Sequence, residues 1–206
     1  MAQNLATYKT FHYLCTHKRH EYQNMSPYCI YLTLPTYLAE WYAHQCRRVE
    51  YREHDTCPNT PPDLSTPVEP IRGSYESQVL HRSLQKQPTD IPEPRPANTT
   101  LALAIPYYPD RDPRIYNYVG PHARQEIENA ILESFDISMW KELHTFRTRL
   151  SRQDEAIWSF MEKHAISCTD ANWNAIAKRY QRKRNIFYVE KCRKNRTSSR
   201  PKNKNR

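Results

Sequence analysis

Residues 28–34 alternate in polarity, with Ile30, Leu32 and Leu34 on one side and Cys29, Tyr31 and Thr33 on the other. That period of two predicts a half-buried strand. Pro35 ends it and opens a helix, PTYLAEWYAHQCRRV, marked by Leu38, Trp41, Tyr42 and Val49 and closing in Arg47 and Arg48. Ser74 caps a second helix in SYESQVLHRSLQKQ, with Tyr75, Val79, Leu80 and Leu84 apolar. LALAIPY at 101–107 alternates again and predicts a second strand, a candidate partner for the first.

From Pro121 the spacing becomes helical, in four segments. HARQEIENAILESF carries Ile127, Ala130, Ile131 and Phe135. Asp136 caps ISMWKELHTFRTRL, with Ile137, Trp140, Leu143 and Phe146 inward. Ser151 caps RQDEAIWSFMEKHAI, which sets Ile157, Phe160, Met161 and His164 on one stripe. Thr169 or Asp170 caps DANWNAIAKRYQRKRNIF. Its packing side reads Trp173, Ile176, Ala177, Tyr180, Arg184 and Phe187, and its cationic side Asn172, Asn174, Lys178, Arg179, Arg182 and Lys183.

The fold class expected is therefore α+β, mainly helical. A short two-stranded sheet with helices precedes a C-terminal helical unit, which ends in a helix-turn-helix-like pair and a disordered basic tail. The expected organisation is a flexible leader at 1–27, a strand-helix-helix-strand unit with proline-rich loops at 28–107, a helical unit at 108–188 and the tail at 189–206. Order is expected to begin near Met25.

Charge sharpens this picture. The chain has 206 residues and a net charge of +9. Lys178–Arg206 holds 13 Lys and Arg against one acid, Glu190, a net +12, which leaves 18 basic against 21 acidic residues elsewhere, a net −3. A near-neutral body with a basic appendage points to a polyanionic partner. If six to ten of these cations meet phosphates, affinity falls by about 10³ to 10⁵ between 50 and 200 mM salt.

Composition removes several enzyme classes. With only 2 glycines, the dinucleotide fingerprint and Gly-rich phosphate loops cannot form in their usual shape. No GxSxG, HExxH, DxDxDG or Walker pattern occurs. Asp110, Arg111, Asp112 and Arg114 form a compact group that reads either as a nuclease-like carboxylate pair or as a self-satisfied Asp–Arg loop. Cys46, His54 and Cys57 come nearest to a metal site, but cysteines eleven apart match no common zinc spacing. The expectation is a non-enzyme with no cofactor and no metal. With no CxxC, no signal peptide and no apolar run of about 18 residues, it is also a cytoplasmic protein with free thiols and no membrane association.

Two family resemblances bear on function. IYLTLP at 30–35, YLAEW at 37–41 and GSYESQVLHRSL at 73–84 resemble the ribbon-helix-helix DNA-binding proteins. That resemblance implies a homodimer whose paired strands enter the major groove, with Tyr31 and Thr33 reading bases and Ser74 at a phosphate. Here the outward strand positions carry no Arg or Lys, and the loop between the helices is longer than in that family. DEAIWSFM, NWNAIAKRY and NIFY resemble, more faintly, the helix-turn-helix end of phage Mor-type activators. QRKR at 181–184 has no turn residue, so the last two helices are expected to run on as one.

Independently of either family, Asn174 can address an adenine edge, Arg179, Arg182 and Arg184 a guanine, and Lys178 and Lys183 phosphates. Trp173, Tyr180 and Phe187 could stack on single-stranded bases, though their spacing suits core packing better. The expected function is nucleic-acid binding, to DNA in preference to RNA, as a regulator or accessory factor of a phage or mobile element. The alternative is a structural protein whose tail neutralises RNA, a ribosome or packaged DNA.

Overall fold

The computed structural model describes residues 28–50, 60–88, 95–146 and 152–198. The leader, His54, Cys57 and Ser151 lie outside the described residues, and so do the expectations that rest on them. In order the elements are β1 (Cys29–Leu32), α1 (Thr36–Glu50), α2 (Tyr75–Ser83), β2 (Leu101–Ala104), α3 (Pro121–Phe146), α4 (Gln153–Lys163) and α5 (Asp170–Ser198). The protein is an α+β fold in which helices dominate and the sheet is a short antiparallel pair.

The contacts divide the chain into two units, but not at the boundary expected near residue 107. One unit takes residues up to Thr33 and Leu64–Glu128; the other takes Leu34–Asp63 and everything from Asn129. Both expected strands pair within the first unit, with Cys29 opposite Ala104 and Leu32 opposite Leu101. Ile30 and Leu32 are buried as the alternation requires, and β2 is buried at all four positions. Val68 hydrogen-bonds along the other edge of β2, donating to Ala102 O and accepting from Ala104 N. Ala102 and Ala104 are buried along with the leucines, so both faces of β2 are covered. Gly73, at φ +79, turns the chain into α2, and Ser74 Oγ caps it by accepting Ser77 N–H at 3.1 Å.

In the second unit, Pro35 O accepts the Leu38 and Ala39 amides and starts α1. Phe135, fully buried, meets Tyr37, Trp41 and Phe160 at ring separations of 5.3, 5.3 and 5.9 Å, where α1, α3 and α4 converge. The expected stripe of α4 is buried in full: Ile157, Phe160, Met161 and His164.

Three expectations are corrected. Asp136 does not begin a new helix; α3 runs unbroken through it, because its carboxylate is taken by Arg179 and Lys183 instead of capping a backbone amide. Its buried stripe therefore keeps one phase, Ile127, Ile131, Phe135, Met139 and Leu143, which leaves Ile137 at 60% exposure instead of inward. Tyr75, in the first turn of α2, also faces solvent. The third correction concerns the tail: residues 189–198 are helical, as the continuation of α5.

α4 ends in a Schellman motif. Ala165, at φ 52, takes the left-handed position; its N–H bonds Glu162 O at 3.2 Å, and Ile166 N–H bonds Met161 O at 2.9 Å.

Candidate nucleic-acid interface

α5 is one helix, as the missing turn residue at 181–184 implied. Thr169 starts it: Thr169 Oγ1 accepts Asn172 N–H at 3.3 Å and Thr169 O accepts Trp173 N–H at 2.9 Å. At 100° per residue, Ile176 and Tyr180 define the inner side, and both are buried. Tyr180 packs on Trp140 at 5.8 Å and Phe187 on the same ring at 5.4 Å. Trp173 stacks on Trp158 at 6.3 Å. Trp173, Tyr180 and Phe187 thus have packing roles, as their spacing favoured.

The cations expected on one outer face separate into two groups. Arg179 Nε and Nη2 both donate to the Asp136 carboxylate, the second at 3.0 Å, and Lys183 Nζ reaches Asp136 Oδ2 at 3.1 Å. Asp136 is only 11% exposed in its side chain, and these hydrogen bonds hold the Arg179 guanidinium above its ordinary pKa. Arg184 Nη1 donates to Gln153 Oε1 at 3.1 Å, and the guanidinium lies 5.9 Å over the Tyr188 ring. Asn172 is buried, and its amide donates to Ser167 O at 3.0 Å. Arg179, Lys183 and Asn172 are thus corrected from the outer to the inner side. The signal was in the sequence: Arg179 and Lys183 each follow Ile176 or Tyr180 by three residues, next to them on the helix surface.

What remains outward is a stripe, Asn174, Lys178, Arg182, Asn185 and Val189, at successive spacings of three and four. All five are exposed. Lys178, Arg182 and, further along, Lys191 have no carboxylate against them among the described residues. Every residue from Asn185 to Arg193 is exposed, including Ile186, Phe187, Tyr188 and Val189.

The N-terminal end of α5 is fixed by a carboxylate that sequence reasoning did not single out. Glu40, buried in α1, accepts Ser167 N–H at 2.9 Å, the Ser167 hydroxyl, and the Asn172 amide at 3.5 Å. A second acid, Glu142 of α3, holds the end of α4. It accepts His164 Nε2–H at 2.9 Å and Lys163 Nζ at 2.9 Å, while Gln45 donates to His164 Nδ1 at 2.9 Å. Burial works against the ionised Glu142, but the His164 and Lys163 donors outweigh it and hold its carboxyl at about 2.

The other residues that the sequence named for nucleic-acid contact belong to the first unit. Tyr31 lies in β1, half-buried, and β1 is paired with β2 of the same chain. Thr33 is exposed, and its N–H donates to Glu128 Oε1 at 3.0 Å. Ser74 Oγ is occupied by its own helix cap. Beside α2 a groove of about 400 Å³ passes Ser77, His81, Tyr108 and Asp110. His81 Nε2 lies 3.0 Å from Asp110, and Tyr108 OH lies 3.2 Å from Ser77 Oγ. Asp112 pairs with Arg114 at 3.1 Å, and the Arg111 guanidinium donates to the carbonyls of His81 and Leu84 at 2.6 and 2.8 Å. Only Asp112 and Arg114 pair within the loop; Asp110 and Arg111 are engaged outside it, and Arg111 closes the C-terminal end of α2.

Among the described residues no group of three or more His, Cys, Asp or Glu is placed to hold a metal ion, and no helix is long and apolar enough to cross a membrane. No protein-family model, curated protein or solved structure matches this chain.

Proposed function

We propose that this is a nucleic-acid-binding protein, a DNA-binding regulator or accessory factor, whose contact surface is the outer face of α5. The observation that carries the reading is the division of α5's charge. The structure engages Arg179 and Lys183 with Asp136 while Lys178, Arg182 and Lys191 stay exposed with no acid of their own among the described residues. A helix is 10–12 Å across with its side chains and the major groove about 12 Å wide, so α5, whose outer face is uncovered from Asn174 to Val189, can lay that face into it. Asn174 and Asn185 then supply groups for base edges, and Lys178, Arg182 and Lys191 supply phosphate contacts. Tyr31, Thr33 and Ser74 are left out of this surface.

Three phosphate contacts give a salt slope of about −2.7, so affinity falls about 40-fold between 50 and 200 mM salt from these residues alone. Fluorescence anisotropy with labelled DNA across that range tests the proposal. The triple change Lys178→Ala, Arg182→Ala, Lys191→Ala is expected to flatten the slope by about three. An unchanged slope in a folded triple variant removes α5's outer face from the contact.

A further inference from the structure

Phosphate contacts account for only part of the distal outer face of α5. Phe187 turns inward onto Trp140 and His144, at ring separations of 5.4 and 5.6 Å. Ile186 and Val189 point away from that packing and are 59% and 68% exposed; three residues apart, they adjoin on the helix surface. Asn185, four residues before Val189, is exposed as well. Helix propensity does not account for an Asn at an exposed mid-helix position. Arg182 is exposed one turn before Asn185, and Arg193 one turn after Val189. The face therefore presents an amide and two branched aliphatic side chains with cations on either side. A lipid surface would cover the aliphatics but bury the amide with them. A second copy of the segment would set cation against cation. An A·T pair in the major groove answers all three features. Its adenine offers the N6 donor and N7 acceptor to an amide, its thymine offers a C5 methyl to an aliphatic side chain, and phosphates border the groove. A G·C pair has no methyl there.

We infer that the outer face of α5 selects A·T pairs in duplex DNA, with Asn185 on an adenine edge and Val189 against a thymine methyl. Four helix residues rise about 6 Å, against about 3.4 Å per base pair, so the two contacts fall on neighbouring base pairs. Asn174 is exposed eleven residues earlier. It lies about 16 Å from Asn185 along the helix and within about 20° of the same angle, which sets a second adenine contact about five base pairs from the first. Lys178 and Arg182 lie between the two Asn residues and meet phosphates, and Ile186 widens the apolar patch beside Val189. The inference rests on the proposed nucleic-acid reading and names the sequence class of its ligand.

The test uses the full chain and three duplexes of equal length at one salt concentration: one A·T-rich, the same duplex with deoxyuridine in place of thymine, and one G·C-rich. The A·T-rich duplex is expected to bind tightest. Deoxyuridine should weaken binding about fourfold, the worth of one buried methyl, and the G·C-rich duplex should bind about tenfold more weakly than the A·T-rich one. Val189→Ala should no longer distinguish thymine from deoxyuridine. The double change Asn174→Ala, Asn185→Ala should lose most of the distinction between A·T and G·C. Both variants should keep the parent's salt slope, and a thermal melt shows that each is folded. A parent protein that misses either distinction, or a variant that keeps the one assigned to it, overturns the inference and leaves the nucleic-acid reading standing. Binding to none of the duplexes overturns both and leaves this face to an acidic protein.

Discussion

Asp136 decides which cations of α5 are available to a partner, so its removal is the most informative perturbation of the fold. Asp136→Asn keeps the shape of the side chain and one acceptor but removes the charge that faces Arg179 and Lys183. Breaking a fully buried pair costs about 3–5 kcal/mol, and breaking an exposed one costs under about 1 kcal/mol. Here Asp136 is 11% exposed, Arg179 27% and Lys183 35%, so the carboxylate is buried while its partners are only partly covered. The expected loss lies between those limits, at about 2 kcal/mol. For a chain of this length that lowers the melting temperature by about 4–8 °C. The pair term itself comes from a double-mutant cycle of Asp136→Asn with Arg179→Met, read by urea unfolding followed by circular dichroism, with a coupling energy of about 1–2 kcal/mol expected. Arg182→Ala is the control and should stay within about 0.5 kcal/mol of the parent. A coupling energy below about 0.5 kcal/mol would mean that Asp136 does not hold Arg179, and the division of α5 into inner and outer cations would fall with it.

Three further outcomes test other parts of the fold. The folded Glu142 carboxyl titrates at about 2 and its ordinary value is 4.5, so its pairing with His164 and Lys163 contributes fully above about pH 4.5 and is lost as pH falls towards 2. Glu142→Gln should flatten the pH dependence of the urea midpoint in that window; identical curves for the two proteins would show that the pairing contributes nothing. Ala165 holds a left-handed backbone that costs an L-residue about 1–2 kcal/mol, and glycine's extra chain entropy and the loss of a buried methyl offset most of that, so Ala165→Gly should leave stability within about 1 kcal/mol of the parent, and a loss above about 2 kcal/mol in a urea melt would contradict the Schellman assignment. Arg111→Ala frees the carbonyls of His81 and Leu84 at the end of α2 and should destabilise by about 1–3 kcal/mol, with Arg111→Lys recovering part of it in the same thermal melt.

The parts of the fold that could be read from the chain are those set by local period and local caps. Ile30 and Leu32 alternate and are buried, Ile157, Phe160, Met161 and His164 recur at helical spacing and are buried, and Thr169 accepts the capping bond offered by its own helix. What misled was residue type taken out of context. Asp136 is a good cap residue, yet it sits in mid-helix because its carboxylate has Arg179 and Lys183 to meet, 43 and 47 residues further on. Ala165 does the work usually given to glycine, so nothing in its identity announces the end of α4. Glu40 is one acid among many in sequence, and only the burial of α1 brings it to Ser167 and Asn172. The unit boundary was hidden for a related reason: α3 belongs to both, Pro121–Glu128 to one and the rest to the other, and the helix is not interrupted there.

The helical state of residues 185–198 follows from the same packing. An isolated helix of that length is marginal in water, since nucleation costs more than a few propagated bonds return. Here no new nucleus is needed. Glu40 and Thr169 fix the first turn, Ile176 and Tyr180 bury the next two, and Asp136 ties down Arg179 and Lys183 before the segment that stands in solvent begins. These anchors lie N-terminal to Asn185, and beyond them, among the described residues, Phe187 alone is seen to pack, on Trp140 and His144, so loosening any of them should weaken the helix beyond it as well as the packing around it. Asp136→Asn is then expected to lower helix content at 222 nm below the unfolding transition, in addition to shifting the midpoint. A variant that loses stability while its pre-transition signal stays at the parent value would show that the distal helix holds itself, and the case for anchoring through Asp136 would fail.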